Sequence, residues 1–228
     1  MNWTDQYKKA ITFSFDDGIL QDQRLVELLN RYGLKATFNI NSGLGRNNGS
    51  FHYKTTVVHR FDPKELVPIY LGHEVAIHSF SHPDLTVLSI PQIKDELVKD
   101  LQNLESIFKQ KVVGMAYPFG RFDDRIISVL KTLDIQYART IEAAQNHNIP
   151  QDLYRFHPTA HFLDPKLPRL IKLFLESKPS QPQIICIWGH SYELDCDNGW
   201  NIIEALFKEL SHHPEVFYGT NKEVLLIK

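Results

Sequence analysis

Apolar runs of strand length alternate with amphipathic segments along the whole chain, and this rhythm narrows the fold more than any other feature. Residues 10–15 read as a buried strand, after which Leu25, Leu28, Leu29 and Tyr32 recur at helical spacing until Gly33 ends the helix. A strand at 36–40, a short helix at 63–71 and a strand at 75–78 follow. Pro91 then opens a helix carried by Ile93, Leu97, Leu101, Leu104 and Ile107, whose intervening Lys and Asp residues read as a solvated face. Further strands at 112–117, 136–140 and 184–188 alternate with helices at 124–133, 167–175 and 202–210, and 224–227 reads as a closing strand. Repeated βα units of this kind predict an α/β protein, a distorted or incomplete (β/α) barrel. No repeat or linker divides the 228 residues, so the expectation is a single domain spanning 1–228.

Composition removes several function classes. The 25 Lys and Arg residues against 27 Asp and Glu, with no long run of one sign, exclude the clustered cations a nucleic-acid surface requires. The apolar runs break before about 18 residues, so no membrane span is expected. The first residues lack the pattern of a secretory signal, and the two cysteines, Cys186 and Cys196, are too few for a disulfide framework; both point to a cytoplasmic location. Cys186 lies in an apolar strand pattern, where a buried thiol is the ordinary reading.

In a (β/α) barrel, reactive side chains gather where strands end and βα loops begin. Four polar clusters fall at such places. In Ser14-Phe15-Asp16-Asp17-Gly18, two adjacent carboxylates repel unless a cation or proton relieves them, although an Asp there could also cap the following helix. In His78-Ser79-Phe80-Ser81-His82, imidazoles spaced i and i+4 on a helical turn could reach one metal ion, although lone histidines are often surface or core residues. Ala116-Tyr117-Pro118-Phe119-Gly120 reads as a sharp loop. Trp188-Gly189-His190-Ser191-Tyr192-Glu193 places an imidazole just past the most apolar strand, where a general acid could sit. Trp188 and Trp200 could present an aromatic face to a sugar ring or fill the core. The Gly-, Asn- and Ser-rich segment 41–59 reads either as an ordered loop over a site or as a solvated connector. The pair His212 and His213 reads as surface.

In this order the clusters resemble the polysaccharide deacetylase, or NodB-homology, family, whose motifs run approximately T-F-D-D-G, H-x-x-x-H, R-x-P-Y and L-x-H; the resemblance covers residues 12–192. It implies a distorted (β/α) barrel and a hydrolase that removes N- or O-linked acetyl groups from a sugar, with an acetylated sugar or oligosaccharide as partner. It also implies one divalent metal ion, usually zinc, held by Asp17, His78 and His82, with Asp16 as general base and His190 as the acid for the leaving group. The third motif, Tyr117, Pro118 and Phe119, would supply an oxyanion donor, the backbone N–H of Phe119. Ala116 stands where the family has an Arg that orients the base. Arg155 is expected to replace it, with Arg121 and Arg139 standing behind it. His161, in the region where a Trp-containing motif belongs, would touch substrate or serve the structure. Two alternatives stay open, a cyclic-amide hydrolase on the same scaffold and a non-catalytic carbohydrate-binding relic. Oligomeric state is left open.

Overall fold

The computed structural model describes residues 2–196 and 198–227. Its elements in chain order are β1 (Lys9–Asp16), α1 (Asp22–Arg31), β2 (Ala36–Ile40), β3 (Phe51–Tyr53), β4 (Thr56–Val58), α2 (Pro63–Ile69), β5 (Glu74–Ile77), α3 (Ile90–Phe108), β6 (Gly114–Ala116), α4 (Asp124–Thr132), β7 (Tyr137–Arg139), β8 (Ala160–His161), α5 (Leu167–Glu176), β9 (Gln183–Gly189), α6 (Gly199–Leu210), β10 (Val216–Tyr218) and α7 (Asn221–Leu225). The main sheet runs β7-β6-β5-β2-β1-β9-β8, with β10 also on β1, and its strand pairs are parallel.

This sheet curls into a barrel. Three strands separate β1 from β7 in the sheet order, yet Arg139 on β7 reaches Ser14 and Asp16 on β1. Side chains alternate across each strand. Ile11, Phe13 and Phe15 therefore join the cluster formed with the helices, while Ala10 packs with Trp3, Tyr137, Ile184 and Cys186 in a second, smaller cluster. The open edges are bridged by residues 156–161. Phe156 makes a parallel bridge with Arg139, and Thr159 donates to the Cys186 carbonyl. The predicted incomplete barrel is the observed one.

Two local expectations are corrected, and one left open is settled. Residues 221–225 form a helix, and the last strand is β10, which pairs with Lys9–Ile11 of β1 below the point where β2 takes over the same edge. A capping box explains the helix: Glu223 accepts from the Thr220 N–H while Thr220 Oγ1 accepts from the Glu223 N–H, local bonds that override the apolar pattern. Asp100, read as part of a solvated face, is fully buried. It falls on the apolar stripe of α3 with Ile93, Leu97 and Leu104, and its carboxylate accepts N–H bonds from Ser42 at 2.8 Å and His78 at 2.9 Å. The excursion after β2 is ordered and carries the β3–β4 hairpin, whose Phe51 and Tyr53 pack against Tyr192 beyond β9. Among the described residues, no helix is long and apolar enough to cross a membrane.

Candidate active site

The end of β1 turns sharply, with Asp17 at φ 88° and Gly18 at φ 66°. A left-handed aspartate costs of order 1–3 kcal/mol unless its surroundings hold it. Here the Asp17 N–H is fixed by the Asn39 carbonyl at 2.9 Å and its own carbonyl by Arg60. The turn sends the two carboxylates into different environments.

Asp16 is buried against Arg139, whose Nη2 donates to both carboxylate oxygens, and Asn39 Nδ2 donates to Oδ1 at 2.8 Å. Arg139 is itself anchored by Ser14 Oγ at 2.9 Å and the Thr140 carbonyl at 2.9 Å, and its guanidinium lies 4.8 Å from the centre of the Trp188 ring. Burial works to raise the Asp16 pKa, but Arg139 and the nearby imidazoles outweigh it and hold the carboxyl below its ordinary range. The carboxylate is ionised.

The expectation for Arg155 is overturned. Its guanidinium pairs with Asp152 and with Asp124 at 2.5 Å, among exposed groups. The cation at Asp16 is instead Arg139 at the end of β7, which points inward, whereas Arg155 closes the short turn Leu153–Arg155 and points out. Arg121 pairs with Asp84 at 2.6 Å on the surface.

His78 and His82 do not share a helical turn. Ser79 at φ 63° and His82 at φ 58° break any helix, and the loop itself folds the two rings to 4.8 Å between centres. His78 Nδ1 donates to the Ala116 carbonyl at 2.7 Å, which leaves the Nε2 lone pair as its ligand atom. The ligand atoms of Asp17, His78 and His82 lie within 4.8 Å of one another. Burial brings His78 down to about 4 and also lowers His82, so both imidazoles are neutral at pH 7. For Asp17, burial pulls upward, but Arg60 and the surrounding histidines bring it down to about 2. One carboxylate with two neutral imidazoles is a donor set suited to a divalent ion such as zinc, and these residues fit one.

His190 stands opposite, its Nε2 3.9 Å from Asp16 Oδ2. Glu193 accepts from the His190 backbone N–H at 3.0 Å, lies 3.4 Å from Nδ1, and accepts from His161 Nε2 at 2.9 Å. Burial would lower the His190 pKa, but Glu193, Asp17 and Asp16 outweigh it and raise it above its ordinary value. His161 stands behind this group, stacked on Phe162, and serves Glu193 instead of lining the cavity.

These groups surround a cavity of about 590 Å³. Tyr117, Phe119, Trp188 and Tyr192 line it, and the excursion after β2 contributes Leu44, Ser50, Phe51 and Arg60. Phe119 is at φ 58°, half exposed, with its ring edge-on to His82 at 4.7 Å. Pro118 is buried beneath this turn, whereas Trp200 lies apart, under Arg24 and bonded to Asp195. Sequence reasoning gave no role at the site to Arg60, to Asp100, to Glu193, which it saw only as the end of the fourth cluster, or to Asp22. The last accepts from Ser191 Oγ and Tyr70 and so ties the loop after β1 to the loop after β9. Only Asp100 carried a signal, its place on an apolar stripe.

A curled parallel barrel with two carboxylates and three imidazoles gathered at its strand ends defines a class, the distorted (β/α) barrels with a candidate metal centre at the strand ends. The family model described as polysaccharide deacetylase matches residues 4–138, and the chain belongs to that family. A chitin deacetylase from a Pestalotiopsis species is 34% identical over 122 residues, covering 53% of this chain and 38% of that protein. The chain thus spans less than half the length of the curated relatives it matches. Among solved structures, a putative polysaccharide deacetylase from Mycobacterium smegmatis has a TM-score of 0.68 at 14% identity, covering 99% of this chain and 91% of that one. A CE4 family pseudoenzyme from Bacillus anthracis has a TM-score of 0.55 at 20% identity, covering 97% and 66%. At these identities both share the fold.

Proposed function

We propose that this chain is a metal-dependent deacetylase that removes N- or O-linked acetyl groups from a sugar or oligosaccharide. The observation that carries the reading is the arrangement of two proton-transfer groups in one cavity: Asp16 held by Arg139 and His190 held by Glu193, 3.9 Å apart, beside a ready set of ligands. Asp17, His78 and His82 would hold the ion, which when bound polarises the acetyl carbonyl and makes water more acidic. Asp16, held in place by Arg139 and Asn39, takes the proton from the attacking water. His190, its pKa raised by Glu193 beside it, delivers a proton from Nε2 to the departing nitrogen or oxygen. The Phe119 turn supports the oxyanion role its motif implies, since it brings that residue to the cavity wall beside His82.

Acetate release from N-acetylated chitooligosaccharides and from a chromogenic acetyl ester tests the proposal. Activity should require added divalent metal, and D16N should lower it by about 10²–10⁴-fold while metal binding persists. No acetate release from any acetylated sugar, with ring opening of a cyclic amide instead, would favour the other hydrolase reading. The fold shared with a pseudoenzyme favours a second reading, carbohydrate binding without turnover. Glycan affinity unaltered in D16N, with no acetate from the wild type, would support it.

A further inference from the structure

Two acids lie at the metal-ligand cluster, and each is already paired with a buried guanidinium: Asp16 with Arg139 and Asp17 with Arg60. The second pair is the unusual one, because Asp17 is the ligand carboxylate. Arg60 leaves β4 and turns inward to 5% exposure. Its Nη2 lies 3.0 Å from Asp17 Oδ1, the same oxygen that lies 3.9 Å from His82 Nε2. The rest of the guanidinium is fixed by the Asn41 side chain at 2.9 Å, the Gly49 carbonyl at 3.1 Å and the Asp17 carbonyl. Phe51 packs against it, with 5.6 Å from ring centre to guanidinium carbon. This cation cannot swing away without unmaking the loop that carries it.

We propose that Arg60 is a resident counter-cation that sets the metal affinity of the Asp17, His78 and His82 cluster. With each acid already facing a buried guanidinium, the cluster offers an incoming dication little net negative charge. Arg60 also repels it at short range, inside a site where charges are poorly screened. The same ion pair keeps Asp17 compensated when no metal is bound, so the fold at this end of the barrel does not depend on the metal. The outcome is a site of moderated affinity whose stability is largely independent of loading. This inference rests on the metal-ligand reading above.

The test measures zinc affinity by competition with a chromophoric chelator, starting from loaded protein, together with the melting temperature before and after stripping. Expected are affinity tighter by about ten-fold or more in Arg60→Met, and a larger fall in its melting temperature on stripping than in the wild type, because Asp17 is then buried without a partner. Arg60→Lys keeps the charge and should stay near the wild type. Unchanged or weaker zinc binding in Arg60→Met, or an equal tightening in Arg60→Lys, overturns the inference. If Arg60→Met folds only with zinc, the chelator midpoint still reports its affinity. Wild-type protein that binds no zinc, or binds it equally well in a His78→Ala, His82→Ala variant, would instead remove the metal-ligand reading, and this inference with it.

Discussion

Two buried carboxylates inside the barrel, one at each end, have been taken out of water to a similar degree and respond in opposite directions. Asp16, at the carboxyl ends of the strands, is held below its ordinary pKa; Glu74, at the opposite end, is raised above it. Burial pushes both upward, and the partners decide the outcome. Glu74 accepts from Thr37 Oγ1 at 2.8 Å, Tyr137 Oη at 3.0 Å and the Lys222 N–H at 2.8 Å, all neutral donors. Asp16 has a guanidinium. Neutral hydrogen bonds satisfy an acid that serves the architecture, whereas a buried cation keeps one ready to accept a proton.

The largest effect should come from Arg139→Met. Breaking a buried ion pair typically costs about 3–5 kcal/mol, because the remaining charge is left without a partner. Denaturant unfolding should record a loss of that order. Asp16 would then lose its main counterweight to burial, so the acidic limb of the pH–rate profile should move to higher pH. A stable variant with an unmoved limb would mean that Asp16 is held by something else.

Glu193→Gln should act on the other limb. A general acid works while protonated, so activity falls as pH rises through the raised His190 pKa. Removing the carboxylate lowers that pKa and should bring the alkaline limb down in pH, with the acidic limb unchanged. An alkaline limb that stays in place in Glu193→Gln would detach His190 from the proton transfer.

Glu74→Gln should be the mildest. A carboxyl whose folded pKa lies above its unfolded value holds a proton that the unfolded chain has lost, so its contribution to stability declines as pH rises from the ordinary Glu value through the raised one. The variant should flatten that part of the stability–pH curve, with a change within about 1 kcal/mol at neutral pH and activity retained. A large activity loss would erase the contrast between the two ends.

The barrel was readable because its signals are local. Strand-length apolar runs, capping residues and polar clusters at strand ends each occupy a few consecutive positions, and β2 was read to the residue. The cluster residues Asp16, Asp17, His78, His82 and His190 were also visible, since each cluster sits at the end of a strand. Their partners were not. Arg139 meets Asp16 only because the sheet curls across three strands, and Arg60 meets Asp17 only through the course of the excursion after β2. Arg155 was preferred on proximity in the chain to a strand end, whereas the direction of the side chain was what mattered. The final helix was misread because an apolar tail outweighed the Thr220–Glu223 capping box that was present in the sequence all along.

Zinc anomalous scattering from crystals of loaded protein tests the central claim most directly. The account predicts one strong peak about 2.0–2.2 Å from a carboxylate oxygen of Asp17 and from Nε2 of both His78 and His82, with Asp16 outside the ligand set. Acetate release from protein stripped of metal, with no peak between those three side chains after loading, would contradict it.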